Sequence, residues 1–191
     1  MRLILASASP RRRDLLRNAG FDFEVRPGQI VEEIQPGELP EDFARRAARE
    51  KALQIAASSP RGGLVLGADT VVVIDGQTLG KPSDPEDAAR MLRLLSGRTH
   101  QVHTGICLVR APNSIEALKH ETTLVTFRKL DEEEIRQYVE SGEPWDKAGG
   151  YAIQGLASKF VIRISGCYSN VVGLPVALVY EILKRAESSR Q

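Results

Sequence analysis

The sequence predicts an α/β fold. Short apolar runs such as Leu3-Ile4-Leu5 and Leu64-Val65-Leu66 alternate along the chain with segments of helical period and helix-capping chemistry. No internal repeat, low-complexity block or long linker interrupts that alternation. The 191 residues fit one domain, residues 1–191, or one domain folded as two lobes around a cleft. An apolar fraction of 42% beside 27% charged residues excludes a disordered, collagen-like or coiled-coil chain.

Each element follows from local chemistry. Leu3-Ile4-Leu5 reads as a buried strand running into Ser7-Ala8-Ser9-Pro10. Ser9 is placed to cap a helix and Pro10 to be its first residue. Arg11 to Ala19 forms that helix, with Leu15, Leu16 and Ala19 inward and Gly20 as its stop. Phe21 to Val25 alternates like a strand, and Pro27 to Pro40 is a loop carrying Glu32 and Glu33. Pro40-Glu41-Asp42 opens a longer helix with acids in its first turn. It reaches about Ser58, with Phe43, Ala47, Leu53 and Ala57 on its apolar side. Leu64-Val65-Leu66 is a strand ending at Gly67-Ala68-Asp69-Thr70, and Val71 to Ile74 continues extended. Asp75-Gly76 signals a hairpin, with Thr78-Leu79 returning. Asp84-Pro85 starts a helix with Met91, Leu92 and Leu95 inward, stopped by Gly97. Gln101 to Val109 and Leu118 to Phe127 are two long strands separated by Pro112-Asn113. Asp131 and Glu134 form a capping box for a helix reaching Ser141-Gly142. Glu143 to Gly155 is a polar loop, Phe160 to Ile164 a strand, and Gly173-Leu174-Pro175 leads into a last helix ending near Ala186.

Composition narrows the function. Lys and Arg total 26 against 25 acids, a net charge of +1, so nothing drives the whole chain toward nucleic acid or membrane. Few aromatics argue against a base-stacking platform. No apolar stretch approaches the roughly 18–20 residues of a membrane span. Met1 to Ala6 has too short an apolar core for a signal peptide, so a cytoplasmic setting is expected. Cys107 and Cys167 make neither a disulfide framework nor a metal knuckle and read as small core residues.

Several segments could carry chemistry. Ser7-Ala8-Ser9-Pro10-Arg11-Arg12 gathers hydroxyls and guanidinium groups at a helix N-terminus, an arrangement suited to polyphosphate. A capped surface helix with solvated arginines explains it equally. Asp69 after a buried strand sits where α/β proteins place a metal ligand or general base, or it caps a turn. Lys81, in Gly80-Lys81-Pro82, could hold a phosphate as a point charge, or be solvated. Glu32-Glu33 offers hard oxygens to Mg²⁺ or Mn²⁺, although adjacent loop acids are usually just solvated. Lys51 lies among many charges. Asp146 to Gly155 suits a ligand-facing loop in which Gln154 could read a base edge, or is a turn-rich connector. His100 and His103 fall on opposite faces of a strand and read as core residues, not a metal pair. No GxGxxG, HExxH, GxSxG or Walker A pattern occurs.

In order along the chain stand Leu5-Ala6-Ser7-Ala8-Ser9-Pro10-Arg11-Arg12, Gly67-Ala68-Asp69-Thr70-Val71-Val72, Gly80-Lys81-Pro82, Leu95-Ser96-Gly97-Arg98, Asp146-Lys147-Ala148-Gly149-Gly150-Tyr151, Ile153-Gln154-Gly155 and Val172-Gly173-Leu174-Pro175. Together they resemble the Maf family of nucleoside triphosphate pyrophosphatases, linked in bacteria to inhibition of septum formation. The Asp146–Gly155 pattern is similar to the branch acting on dTTP and UTP, with Ala152 where many members have Gly. The resemblance implies an elongated mixed sheet with flanking helices and two lobes around a central cleft, similar to inosine triphosphate pyrophosphatases, and a homodimer. It implies Asp69 as the catalytic acid, and Arg11, Thr70 and Gln154 as residues of substrate choice. It further matches Arg12, Glu32, Lys51 and Lys81 to cleft residues; the expected mechanism sets Arg11, Arg12, Lys51 and Lys81 on the phosphates beside Ser7, and Mg²⁺ or Mn²⁺ on Glu32 and Asp69, where the ligand and base roles of Asp69 compete. The expected partner is a nucleoside triphosphate, with no membrane and no stable nucleic-acid partner. The competing expectations are a non-enzymatic nucleotide or nucleic-acid binder regulating division, favoured by Arg11-Arg12-Arg13, and a 7-methyl-GTP pyrophosphatase.

Overall fold

The computed structural model describes residues 3–28, 30–31 and 33–188. The strands are β1 (Leu3–Leu5), β2 (Phe23–Val25), β3 (Leu64–Ile74), β4 (Gln77–Leu79), β5 (Thr99–Arg110), β6 (Ser114–Phe127) and β7 (Val161–Ser165). The helices are α1 (Pro10–Asn18), α2 (Pro40–Ala56), α3 (Pro85–Leu95), α4 (Glu132–Glu140), α5 (Tyr168–Val172) and α6 (Val176–Ser188). The strands form a seven-stranded mixed sheet in the order β2-β1-β3-β5-β6-β7, with β4 on β3. The chain divides into two compact units, Met1–Thr70 with Thr104–Glu121 and Gly173–Gln191, and Val71–His103 with Thr122–Val172.

In the first unit β1 pairs in parallel with β2 and with β3, in a register that sets Leu3, Ile4 and Leu5 against Leu64, Val65 and Leu66. Both faces of Leu3–Leu5 and Leu64–Leu66 are covered, so these segments are apolar throughout rather than alternating. Leu3, Leu5, Leu64, Leu66, Ala68, Ile106 and Leu108 share one core with Leu16 of α1 and with Val179, Ile182 and Leu183 of α6. Ile4, Val65, Cys107 and Val109 share another with Ala48, Ala52 and Ala56 of α2. The period-two alternation of a strand therefore assigns even-numbered residues of β3 to one face and odd-numbered ones to the other.

The buried stripe of α2 is Phe43, Ala44, Ala47, Ala48, Lys51, Ala52 and Ala56. Its small side chains meet glycines. A β-carbon at Gly67 of β3 would collide with the Ala48 carbonyl, and one at Gly105 of β5 with the Ala44 carbonyl. The helix thus lies unusually close to the sheet. Ala57 and Ala19, expected inward, are exposed because each falls at or beyond a helix end. Gly67 also does not end a strand: β3 runs unbroken for 11 residues through Asp69 to Ile74.

The second unit begins at the end of β3. Asp75 (φ 51°) and Gly76 (φ 73°) turn the β3–β4 hairpin as the Asp-Gly pair predicts. Asp84 caps α3, accepting from the Asp87 N–H at 2.8 Å, and Asp131 caps α4 with Glu134 closing the capping box. The core gathers Val72, Met91, Leu92, Leu95, Val102, Phe127, Ile135, Tyr138, Tyr151 and Phe160. The polar stretch after Ser141 contains short 3-10 turns (Glu143–Asp146, Ala148–Gly150, Leu156–Phe160). Helix α5 has no signal in the sequence; it is held by Asn170, which donates to the Val102 carbonyl and the Thr123 hydroxyl, both at 3.0 Å.

Candidate active site

Asp69 and Thr70 are neighbours on β3 that face opposite ways, and each meets a different helix. Asp69, odd-numbered, faces α2. The close approach at Gly67 brings Lys51, one turn after Ala47 and Ala48, over the same strand. Lys51 Nζ lies 2.6 Å from Asp69 Oδ1, and the two side chains are only 8% and 9% exposed. Lys51 is thus not the solvated surface lysine that its charged sequence neighbourhood allows. Two charges removed from water need each other: breaking such a pair leaves an uncompensated buried charge.

Thr70, even-numbered, faces the α1 side. Arg12 reaches it from the first turn of α1 and is itself buried. Its Nε donates to the Gly173 carbonyl at 2.8 Å, Nη1 to the Ala68 carbonyl at 2.8 Å and to Ser7 Oγ at 3.1 Å, and Nη2 to Thr70 Oγ1 at 3.0 Å. Thr70 Oγ1 also shares a 3.0 Å hydrogen bond with Thr104 Oγ1. Ser7 Oγ accepts in addition from the Ser9 N–H at 3.2 Å. Arg12 therefore binds the strand-to-helix turn, β3 and the entry to α6 into one frame. Burial withdraws Arg12 from the basic triplet, and Arg13 lies near Asp14 at 3.5 Å. Arg11 is half-buried beside it.

In the second unit Lys81 is exposed just after Gly80, whose carbonyl accepts the Gly149 N–H at 2.9 Å. Gly149 takes φ +67°, and a β-carbon there would stand 3.0 Å from Val72. Gln154 is exposed within a turn closed by the Gly155 N–H donating to the Ala152 carbonyl at 3.1 Å. Ser7, Arg12 and Thr70 are thus joined by hydrogen bonds and Lys51 with Asp69 by an ion pair. Lys81 and Gln154 belong to the other unit. Glu32 lies outside the described residues. Its neighbour Glu33 is exposed, with its carbonyl accepting from Arg46 Nη2 at 2.8 Å.

Among the described residues no group of three or more His, Cys, Asp or Glu side chains is placed to hold a metal. His103 uses Nδ1 on Thr122 Oγ1 and Nε2 on Gln101 Oε1, and His100 Nε2 is bonded to the Tyr151 hydroxyl. The fit of a hard cation rests on one described carboxylate, Asp69. A magnesium-like ion commonly takes one or two carboxylates and completes its shell with phosphates and water, and the Asp69 Oδ1 is already held by Lys51 Nζ at 2.6 Å.

The family description "Maf-like protein" matches residues 2–186. The chain belongs to that family. A Koribacter versatilis (strain Ellin345) protein named dTTP/UTP pyrophosphatase is 53% identical over 97% of this chain and 95% of its own length. One of the same name from Syntrophomonas wolfei is 51% identical, over 95% of each chain. The solved nucleoside-triphosphatase / dITP/XTP pyrophosphatase of Mycobacterium abscessus aligns with 68% of this chain and 76% of its own, at 16% identity and a TM-score of 0.40.

In this Maf-like chain some structurally placed residues have no sequence signal. Thr104 is one more polar residue of a long strand until its contact with Thr70 is seen. Glu143 and Tyr138 brace the turn that carries Gln154. The groove between α3 and α4, about 1300 Å³, holds none of the predicted site residues. Its Asp87, Glu132, Glu133 and Glu140 are paired with Arg90, Arg93 and Arg136.

Proposed function

We propose that this protein hydrolyses dTTP and UTP to the nucleoside monophosphate and pyrophosphate. The observation that carries the activity is the full-length likeness, half identical and covering nearly all of both chains, to proteins named dTTP/UTP pyrophosphatase. The residue roles rest on the motif resemblance, with the contacts among Ser7, Arg12 and Thr70 and between Lys51 and Asp69 in support. Water attacks the α-phosphorus, its proton passes to the Asp69 carboxylate, and the bond to the bridging oxygen breaks so that pyrophosphate leaves. Phosphoryl chemistry of this kind needs charge neutralisation and alignment more than covalent help.

Lys51 fixes the Asp69 carboxylate from 2.6 Å and places positive charge where the phosphates would meet it. Arg11 and Lys81 serve as further phosphate contacts. Arg12, with its guanidinium hydrogen-bonded to Ser7, Ala68, Thr70 and Gly173, positions the hydroxyls of Ser7 and Thr70 toward the substrate. Gln154, exposed at a turn, offers one amide donor and one acceptor to a pyrimidine edge. In place of taking the water's proton, Asp69 would with Glu32 hold a divalent cation, Mg²⁺ or Mn²⁺, that neutralises charge on the phosphates; the two roles of this carboxylate compete. Among the described residues no helix is long and apolar enough to cross a membrane. The reading takes the working form as a cytoplasmic homodimer, which sedimentation of the purified protein checks.

The test is a panel of nucleoside triphosphates with and without Mg²⁺ or Mn²⁺, resolved by chromatography. Monophosphate and pyrophosphate from dTTP and UTP, with purines slow, is the expected result. Diphosphate with orthophosphate would mean that another bond is cut. Asp69→Asn should lower kcat by about 10²–10³ while the circular dichroism spectrum is kept, and near-wild-type turnover would remove Asp69 from the chemistry.

A further inference from the structure

The segment carrying Gln154 is held by a carboxylate that takes no part in the reaction as described. Glu143 Oε2 accepts the Leu156 N–H at 2.8 Å, and Oε1 accepts the Tyr138 hydroxyl at 3.0 Å and the Ala157 N–H at 3.5 Å. Burial raises the Tyr138 phenol far above its ordinary pKa, with the nearby Glu143 charge adding to it, so Tyr138 stays a donor. Glu143, itself held by Tyr138, therefore grips the backbone directly after Gln154, where the Ala152–Gly155 turn ends.

Gly155 shows how close the grip is. A β-carbon there would overlap both Glu143 carboxylate oxygens, although the residue's φ of −103° is open to any side chain. The glycine is required by the carboxylate, not by the backbone. The other end of the segment is fixed too, by Gly149 against Gly80 and by the Tyr151 hydroxyl against His100 Nε2 at 2.7 Å. Without the Glu143 bonds, the backbone N–H groups of Leu156 and Ala157 turn to water and the Gln154 turn loses its one charged anchor.

We propose that Glu143 is a specificity-determining positioning residue: by clamping the Ala152–Gly155 turn it sets the direction of the Gln154 amide and so the preference for a pyrimidine base. This role rests on the dTTP/UTP reading. A base-reading amide works only if its donor and acceptor point the right way, and the turn, not the exposed side chain, decides that direction.

The experiment measures kcat and KM for dTTP, UTP and dGTP on wild type, Glu143→Ala, Glu143→Gln and Gly155→Ala, with thermal melting of each. Wild type must first hydrolyse dTTP; if it does not, the functional reading and this role fall together. Given that activity, Glu143→Ala should raise KM for dTTP about tenfold, the scale of one charge-assisted hydrogen bond, with kcat changed much less. The ratio of dTTP to dGTP specificity should fall. Glu143→Gln, which keeps an acceptor, should fall between. Gly155→Ala should reproduce Glu143→Ala by displacing the carboxylate, and should add nothing in a Glu143→Ala background. Should Glu143→Ala not fold, Glu143→Gln and Gly155→Ala decide the matter. In a Gln154→Ala background, Glu143→Ala should leave the base preference where it already is. An unchanged preference in folded Glu143→Ala and Gly155→Ala, or an equal loss of kcat on every nucleotide, would overturn the role.

Discussion

Each unit of the molecule buries a polar pair, and the two pairs differ in kind. Lys51 and Asp69 in the first unit carry opposite charges at 2.6 Å. His100 and Tyr151 in the second are neutral, joined Nε2 to hydroxyl at 2.7 Å, with Phe127 edge-on to both rings. A buried ion pair is poor value for stability, because apolar residues of the same volume usually serve as well or better. A buried neutral pair within an aromatic cluster adds area, ring geometry and a satisfied hydroxyl at little desolvation cost. The charged pair thus sits where chemistry is proposed, and the neutral one where a loop must be held.

The largest effect should come from splitting the charged pair. Lys51→Met leaves Asp69 buried beside an apolar chain and should cost about 3–5 kcal/mol of unfolding free energy in denaturant titration. Asp69→Leu should cost a similar amount from the other side. The double variant Lys51→Met with Asp69→Leu should regain most of that stability while remaining inactive. A double variant as unstable as the singles would mean that the pair is structural and that the contrast with His100–Tyr151 is false.

The neutral pair should show itself through pH. Burial pushes the His100 pKa down to about 4. Its Nδ1 is buried with no hydrogen-bond partner, so a second ring proton would have nothing to bond. The unfolded chain binds that proton below the ordinary histidine value of 6.5, whereas the folded chain refuses it until about 4. Stability is therefore complete above the higher value and falls as pH drops through that window, by about 3 kcal/mol in all. Urea titrations across the window should show this slope, and His100→Gln should flatten it. A slope unchanged in His100→Gln would assign the acid sensitivity elsewhere.

The same contrast explains what the sequence disclosed. The helices were legible where a cap and a stop bracket them: Ser9 and Pro10 before α1, Asp84 before α3, the Asp131–Glu134 box before α4. Asp69 stands out in the sequence as a candidate at the end of a strand, whereas it lies inside β3. What makes it accessible to Lys51 is the glycine–alanine approach of α2, a contact between residues far apart in the chain. Lys51 itself looked like any lysine among charges, and Arg12 like any surface arginine. Long-range burial decides both, and no local pattern encodes it. Glu143 was hidden for the same reason: its partners are Tyr138 and a turn 13 residues later.

The smallest effect sharpens the comparison most. Tyr151→Phe keeps the ring that packs 4.8 Å from Phe127 and 5.4 Å from His100 and removes only the hydroxyl. The lost bond is neutral on both sides, so the loss should be about 1 kcal/mol, a small fall in melting temperature. The His100 ring would then have neither nitrogen bonded, which is tolerable for an uncharged imidazole and not for an imidazolium. If Tyr151→Phe cost as much as Lys51→Met, His100 would have to be charged in the folded protein, and the acid-limb slope would reverse: stability would be present below the ordinary histidine pKa and lost above it. Measuring both variants in one denaturant series decides between these signs.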